Sequence, residues 1–167
     1  MAEQLTHLDA AGAARMVDVS GKAPSAREAV ATAVFRTTPA VIALLGSGGL
    51  PKGDALAAAR IAGIMAAKRT PDLIPLCHPI ALSSVTVSLA MEADSVLITT
   101  TARTTDRTGV EMEALTAAAV CGLTLHDMVK AVDPAAELTD LRVQRKTGGK
   151  SGEWTRAGTG DGETGRG

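Results

Sequence analysis

Phe35 and Trp154 are the only aromatic side chains in 167 residues, and there is no tyrosine. The interior of such a chain has to be built from Ala, Val, Leu, Ile and Met. Two rings are also too few for the stacking platforms that bind single-stranded nucleic acid. With 17 Lys+Arg against 18 Asp+Glu the net charge is −1, which argues against a strongly basic nucleic-acid binder. Area scaling has a chain of this mass bury about two-thirds of its extended surface, enough for one domain without staples. Cys77 and Cys121 do not make a secreted disulfide scaffold. The N-terminus has neither a basic n-region nor an apolar h-region. Apolar runs such as 40–45 and 117–121 fall well short of the ~20 residues a membrane span needs. A soluble protein of a reducing, cytoplasmic compartment is expected.

Along the chain, residues 14–20 read as a short strand. Ser25 and Glu28 have the spacing of a capping box, and Val30 and Val34 share a helical face, so a helix is expected up to Pro39. Residues 46–49 read as a loop, and Asp54 caps a helix over about 55–69. Residues 71–80 contain three prolines and are expected to be a rigid, irregular, partly buried loop. Val85, Val87, Leu89 and Met91 alternate with small polar residues, and 96–102 alternates back, which marks a hairpin. Thr108 and Glu111 suggest a second capping box, opening an Ala-rich helix to about Val132. Leu138, Leu141 and Val143 suggest a last strand, and the tail from Thr155, with five glycines in thirteen residues, is expected to be disordered. With 39–80 taken as an insertion of a helix and a Pro-rich loop, the order is that of a ferredoxin-like βαββαβ α+β fold, an antiparallel sheet with helices on one face. The other face needs covering, so a symmetric oligomer is expected.

Asp127 and Lys130 are i, i+3 on the long helix. They are either a surface ion pair worth little or an acid–base pair, with His126 beside them. Glu111 and Glu113 sit in the first turn, where the helix dipole favours carboxylates. Two positions apart, they point about 200° from one another and are not expected to share a pocket. From Glu113 to Lys130 is about 25 Å of helix. If both ends are functional, either Gly122 breaks the helix or one site combines ends from two subunits; the second is favoured. Cys77-His78 lacks further ligands for a metal site, and His78 reads better as a positioned hydrogen-bond donor. Residues 147–152 look like part of a P-loop but lack its first glycine, because Gln144 stands there. Their backbone N–H groups, with Lys146 and Lys150, still suit an anion. Lys52 precedes a helix N-terminus, another place for phosphate. Four of the six lysines (Lys52, Lys130, Lys146 and Lys150) stand at such motifs, which points to a polyanion such as a nucleoside triphosphate.

Met16-Val-Asp-Val19, Lys52-Gly-Asp54, Leu73-Ile-Pro-Leu-Cys-His-Pro79, Thr108-Gly-Val-Glu-Met-Glu-Ala-Leu-Thr116, Asp127-Met-Val-Lys-Ala131 and Lys146-Thr-Gly-Gly-Lys-Ser-Gly152 together resemble the cyclic pyranopterin monophosphate synthase (MoaC) family of molybdenum cofactor biosynthesis. The resemblance spans about residues 4–154 as a single domain. It implies conversion of 3',8-cyclo-7,8-dihydro-GTP to cyclic pyranopterin monophosphate with release of pyrophosphate. It also implies a homohexamer, a trimer of dimers, with active sites at a subunit interface. By the same resemblance Asp127, Lys130, Lys52 and Lys146 are the catalytic candidates. Leu76, Cys77, His78, Met112, Glu113, Glu111, Arg27 and Lys150 are the substrate-binding ones. No metal site and no redox cofactor are implied, and Mg²⁺ would come only with the triphosphate. The chain departs from the family's usual pattern at His126, at Val129 and in the loop before Lys52. The alternative from another class is a non-catalytic paralogue that binds a nucleotide or pterin.

Overall fold

Twelve residues, Ser25–Arg36, form strand β1 at the centre of a five-stranded sheet in the computed structural model, which describes residues 8–9 and 11–157. This corrects the expected helix. Ala29, Ala31, Ala33 and Phe35 are fully buried, whereas Val30, Thr32 and Val34 between them are half-buried, a period of two. The apparent capping box does not cap. Glu28 pairs with Arg103 and Arg145 on the two neighbouring strands, and the Ser25 hydroxyl is buried without a partner. Pairing along the whole strand, from Ser25 opposite Asp106 to Arg36 opposite Ser95, outweighs the helix preference of its alanines.

After β1 come helix α1 (Pro39–Ser47), helix α2 (Ala55–Ala67) and the short α3 (Thr70–Leu73). The hairpin β2 (Leu82–Met91) and β3 (Ser95–Asp106) follows as expected. Helix α4 (Glu111–Val129), strand β4 (Glu137–Thr147) and the two-residue β5 (Trp154–Thr155) are the last elements among the described residues. The sheet order is β2-β3-β1-β4-β5 with every pair antiparallel. β1, α2, β2, β3, α4 and β4 thus make the ferredoxin-like unit. The 39–80 segment is not an insertion, since it contains the first crossover helix, α2.

Further corrections are local. Residues 15–19 form no strand, and Ala14 makes only an isolated bridge to Leu8. The 46–49 loop is half helix, because α1 runs through Gly46 to Ser47 and ends on left-handed Gly48. Pro71 sits in the first turn of α3, where its missing N–H costs nothing. α4 begins without a side-chain cap and ends at Val129, three residues earlier than expected. Thr155 belongs to β5, whereas residues 158–167 of the expected tail lie outside the described residues.

The helices cover the face of the sheet that carries Ala29, Ala31, Ala33 and Phe35, and small residues set how closely they do so. α2 crosses α4 at Gly63, where a Cβ would stand 2.9 Å from the Ala117 carbonyl oxygen. Ala114, Ala117, Ala118 and Cys121 line the buried face of α4. The larger buried groups, Phe35, Ile98 and Leu125, each contribute about 2–3 kcal/mol of apolar burial. A buried hydrogen bond from Thr100 Oγ1 to the Ala114 carbonyl (2.7 Å) pins the first half of α4 to β3. Among the described residues no helix is long and apolar enough to cross a membrane.

Candidate active site

The two ends of α4 carry the candidate groups. At its C-terminal end Asp127 is pinned between two ammonium groups: Lys130 Nζ lies 2.7 Å from Oδ1 and Lys52 Nζ 2.7 Å from Oδ2. Lys52 also donates to the Asp127 carbonyl (2.9 Å). It arrives from a tight turn closed by the Gly53 N–H on the Leu50 carbonyl (3.0 Å), directly before Asp54, whose carboxylate caps α2 through the Ala57 N–H. All three side chains are exposed. Hydrogen bonds from Lys130 and Lys52 and the attraction of their charges hold the Asp127 carboxyl at about 2. Ion pairs this exposed add little stability, so the cluster is poorly explained as scaffolding.

At the N-terminal end, Leu76, Cys77, His78, Met112 and Glu113 border a cavity of about 420 Å³. The loop before β2 carries the first three and the first turn of α4 the last two. His78 Nε2 is 2.7 Å from the Val17 carbonyl oxygen. A carbonyl only accepts, so Nε2 carries the proton in that contact. Glu113 is 2% exposed. Burial pushes its carboxyl up to about 7, its own backbone N–H works against that, and the Glu111 charge adds to it. Burial, followed by the nearby Glu113 charge, raises the Cys77 thiol. Cys121, pushed up to about 12 by burial, is a core residue, and both cysteines are free.

Glu111 also borders this cavity, contrary to the expectation that the two glutamates point apart. Helical geometry separates them by about 200°, but the cavity wraps around the open end of the helix and meets both. The Glu111 carboxylate turns to Lys146 Nζ (2.9 Å), which explains why it does not cap the helix. A smaller polar cavity of about 140 Å³ continues from this pair past Arg27 to the glycine turn after β4. Arg27 is held by bonds from Nε to the Asp106 carbonyl (2.9 Å) and from Nη2 to the Arg107 carbonyl (3.2 Å). Lys150 lines the adjoining open space with Arg27 and Lys22.

The structure therefore brings the twelve candidates into two groups rather than one. Lys52, Asp127 and Lys130 form one group; Arg27, Leu76, Cys77, His78, Glu111, Met112, Glu113, Lys146 and Lys150 form the other. α4 runs unbroken past Gly122, so the groups lie about 25 Å apart along one chain. Sequence reasoning missed Lys22, which borders three of these spaces, and the Val17 carbonyl. Lys22 stands two residues before Pro24, and no local motif surrounds it. Among the described residues no group of three or more His, Cys, Asp or Glu is placed to hold a metal ion.

The sequence model of the MoaC family matches residues 16–149. A cyclic pyranopterin monophosphate synthase of Streptomyces coelicolor is 64% identical over 155 residues, 93% of this chain and 91% of the relative. A Mycobacterium tuberculosis protein named cyclic pyranopterin monophosphate synthase 2 is 60% identical over 92% of both chains. The Rhodospirillum rubrum synthase is 57% identical over 92% of this chain and 94% of its own. Such matches span both ends of α4 and every strand of the ferredoxin-like unit, and the chain belongs to the MoaC family.

Proposed function

We propose that the chain is a cyclic pyranopterin monophosphate synthase, a lyase that rearranges 3',8-cyclo-7,8-dihydro-GTP to cyclic pyranopterin monophosphate and releases pyrophosphate. The observation that carries this reading is the intact Lys52–Asp127–Lys130 cluster in a chain 57–64% identical to relatives so named. Opening a purine ring and rebuilding it as a pterin needs several proton transfers. Asp127, ionised between two cations, orients both ammonium groups, and Lys130 and Lys52 supply the exchangeable protons. Lys146 serves the same chemistry from the other end of α4. Glu113, which titrates near neutrality, hydrogen-bonds the substrate as donor or acceptor beside His78, Cys77, Leu76 and Met112. Expelling pyrophosphate while closing a cyclic phosphate needs cations on the phosphates; Arg27 and Lys150, which line one open space together, take that role in this reading.

The two groups act together only if one subunit contributes the N-terminal end of α4 and another the C-terminal end. The unbroken helix supports this, and a homohexamer arranged as a trimer of dimers provides such interfaces. None of the steps calls for a redox cofactor, and a Mg²⁺ ion would enter as part of the triphosphate. The cytoplasm, with its GTP pool, suits both the reaction and a chain with two free cysteines.

The test is direct. Purified protein is given the cyclised dihydro-GTP, and pyrophosphate and the pterin are followed, with Asp127→Asn alongside. Product from the wild type and none from the variant is the expected result. No product from a folded oligomer that binds the nucleotide would replace this reading with the non-catalytic paralogue.

A further inference from the structure

Trp154 is the chain's only tryptophan, and it is the exposed member of the aromatic pair, since Phe35 is fully buried. Its position is built. Beyond β4 the backbone turns through left-handed Gly148 (φ 93°) and Gly149 (φ 71°), and β5 returns antiparallel with Trp154 opposite Lys146. A Cβ at Gly148 would stand 2.1 Å from the Ala26 carbonyl oxygen, so the turn depends on that glycine. Arg156 fastens the returning strand: its N–H donates to the Gln144 carbonyl (2.8 Å) and its Nε to the Val143 carbonyl (2.8 Å). Its guanidinium lies 5.5 Å from the centre of the indole ring. The indole lines an open depression of about 330 Å³ with Val143 and the Lys146–Glu111 pair.

We propose that Trp154 is the stacking wall of a subsite for a planar nitrogen heterocycle, with Lys146 as its hydrogen-bond donor and Glu111 as its acceptor. The inference deepens the proposed function and rests on it for the class of ligand, a fused purine or pterin ring. Such a ring has a π-face for the indole. Its edge carries carbonyl oxygens that an ammonium group recognises and N–H groups that a carboxylate recognises. The triphosphate of the same ligand then lies toward Arg27 and Lys150. Trp154 is a specificity-determining residue in this arrangement: it selects for the ring, whereas the cations select for the phosphates.

Because Trp154 is the only tryptophan, its fluorescence reports on the subsite directly. The full-length protein is titrated with GTP and, separately, with inorganic tripolyphosphate, and binding of each is measured by calorimetry. GTP is expected to quench the fluorescence and tripolyphosphate to leave it unchanged. Trp154→Leu is expected to weaken GTP binding about tenfold and to raise KM for the cyclised dihydro-GTP similarly, with kcat within about twofold. Trp154→Phe should recover most of the loss. Equal quenching by both ligands, no quenching by GTP, or Trp154→Leu that binds GTP as the wild type does would each overturn the inference. The proposed reaction fails separately: a wild type that is quenched by GTP but makes no pterin loses the activity and keeps the subsite.

Discussion

The two ends of α4 handle charge in opposite ways. At the C-terminal end Asp127 is exposed, yet Lys130 and Lys52 hold its carboxyl at about 2. At the N-terminal end Glu113 is buried beside the Glu111 charge, and its carboxyl rises to about 7. One helix therefore presents a carboxylate that stays ionised and a carboxyl poised to exchange a proton near neutrality. Burial decides the second and paired cations the first. Groups whose titrations are pushed apart in this way suit a reaction with several proton transfers.

The largest expected effect comes from breaking the exposed end. Lys130→Ala should lower the rate of pyrophosphate release by about a thousandfold, within the range for loss of a general acid–base group. Its oligomer and unfolding midpoint should stay unchanged, because the position is exposed. A correctly assembled variant that works at the wild-type rate would refute the assignment. The next effect tests whether the two ends cooperate between subunits. Mixing inactive Glu113 and Lys130 variants should restore part of the activity once subunits exchange, and proven exchange without recovery would refute the shared site.

The buried end makes a prediction in stability. The folded-state carboxyl of Glu113 titrates near 7 against an ordinary 4.5, so the folded chain holds the proton more tightly than the unfolded one. Stability is therefore lost as pH rises from about 4.5 to 7 and is lowest above that window. Glu113→Gln should flatten that slope and be more stable than the wild type by up to about 3 kcal/mol at alkaline pH. Urea melts of both proteins across the pH range would show it, and parallel curves would mean that Glu113 titrates normally. For Asp127 the sign reverses: its contribution is present above the ordinary carboxylate range and is lost as pH falls toward 2.

The smallest expected effect lies between the two ends, where α2 crosses α4. Gly63→Ala should cost about 1–3 kcal/mol, because its Cβ would meet the Ala117 carbonyl oxygen at 2.9 Å. On an open helix face the same change would help by about 1 kcal/mol. A urea midpoint that moves upward would show that the crossing can widen.

Legibility followed locality. The β2–β3 hairpin and the Asp54 cap depend on neighbouring residues, and both stood out in the alternation and in the residue before α2. β1 hides in the sequence because Ser25, Glu28, Val30 and Val34 satisfy helical spacing. What makes the segment a strand lies on β3 and β4, 59 or more residues away at the nearest paired positions, Arg36 and Ser95. The candidate residues are legible in motif resemblance and local charge. Their division into two groups depends on the unbroken course of α4, which periodicity alone left open at Gly122.

What the chain is made to handle is written in its local features. Few rings, balanced charge, four lysines gathered at three motifs and two acidic positions bracketing one helix are properties of composition and short spacing, and they need no tertiary contacts to be read. Which groups meet depends on how distant segments fold onto one another. Lys52 reaches Asp127 across 75 residues, Lys146 reaches Glu111 across 35, and Glu113, lifted toward neutrality by burial, shares its cavity with Cys77 and His78 of a distant loop. Desolvation and ion pairing are set by distance in space, and a spacing along the chain fixes that distance only within a single helix or hairpin.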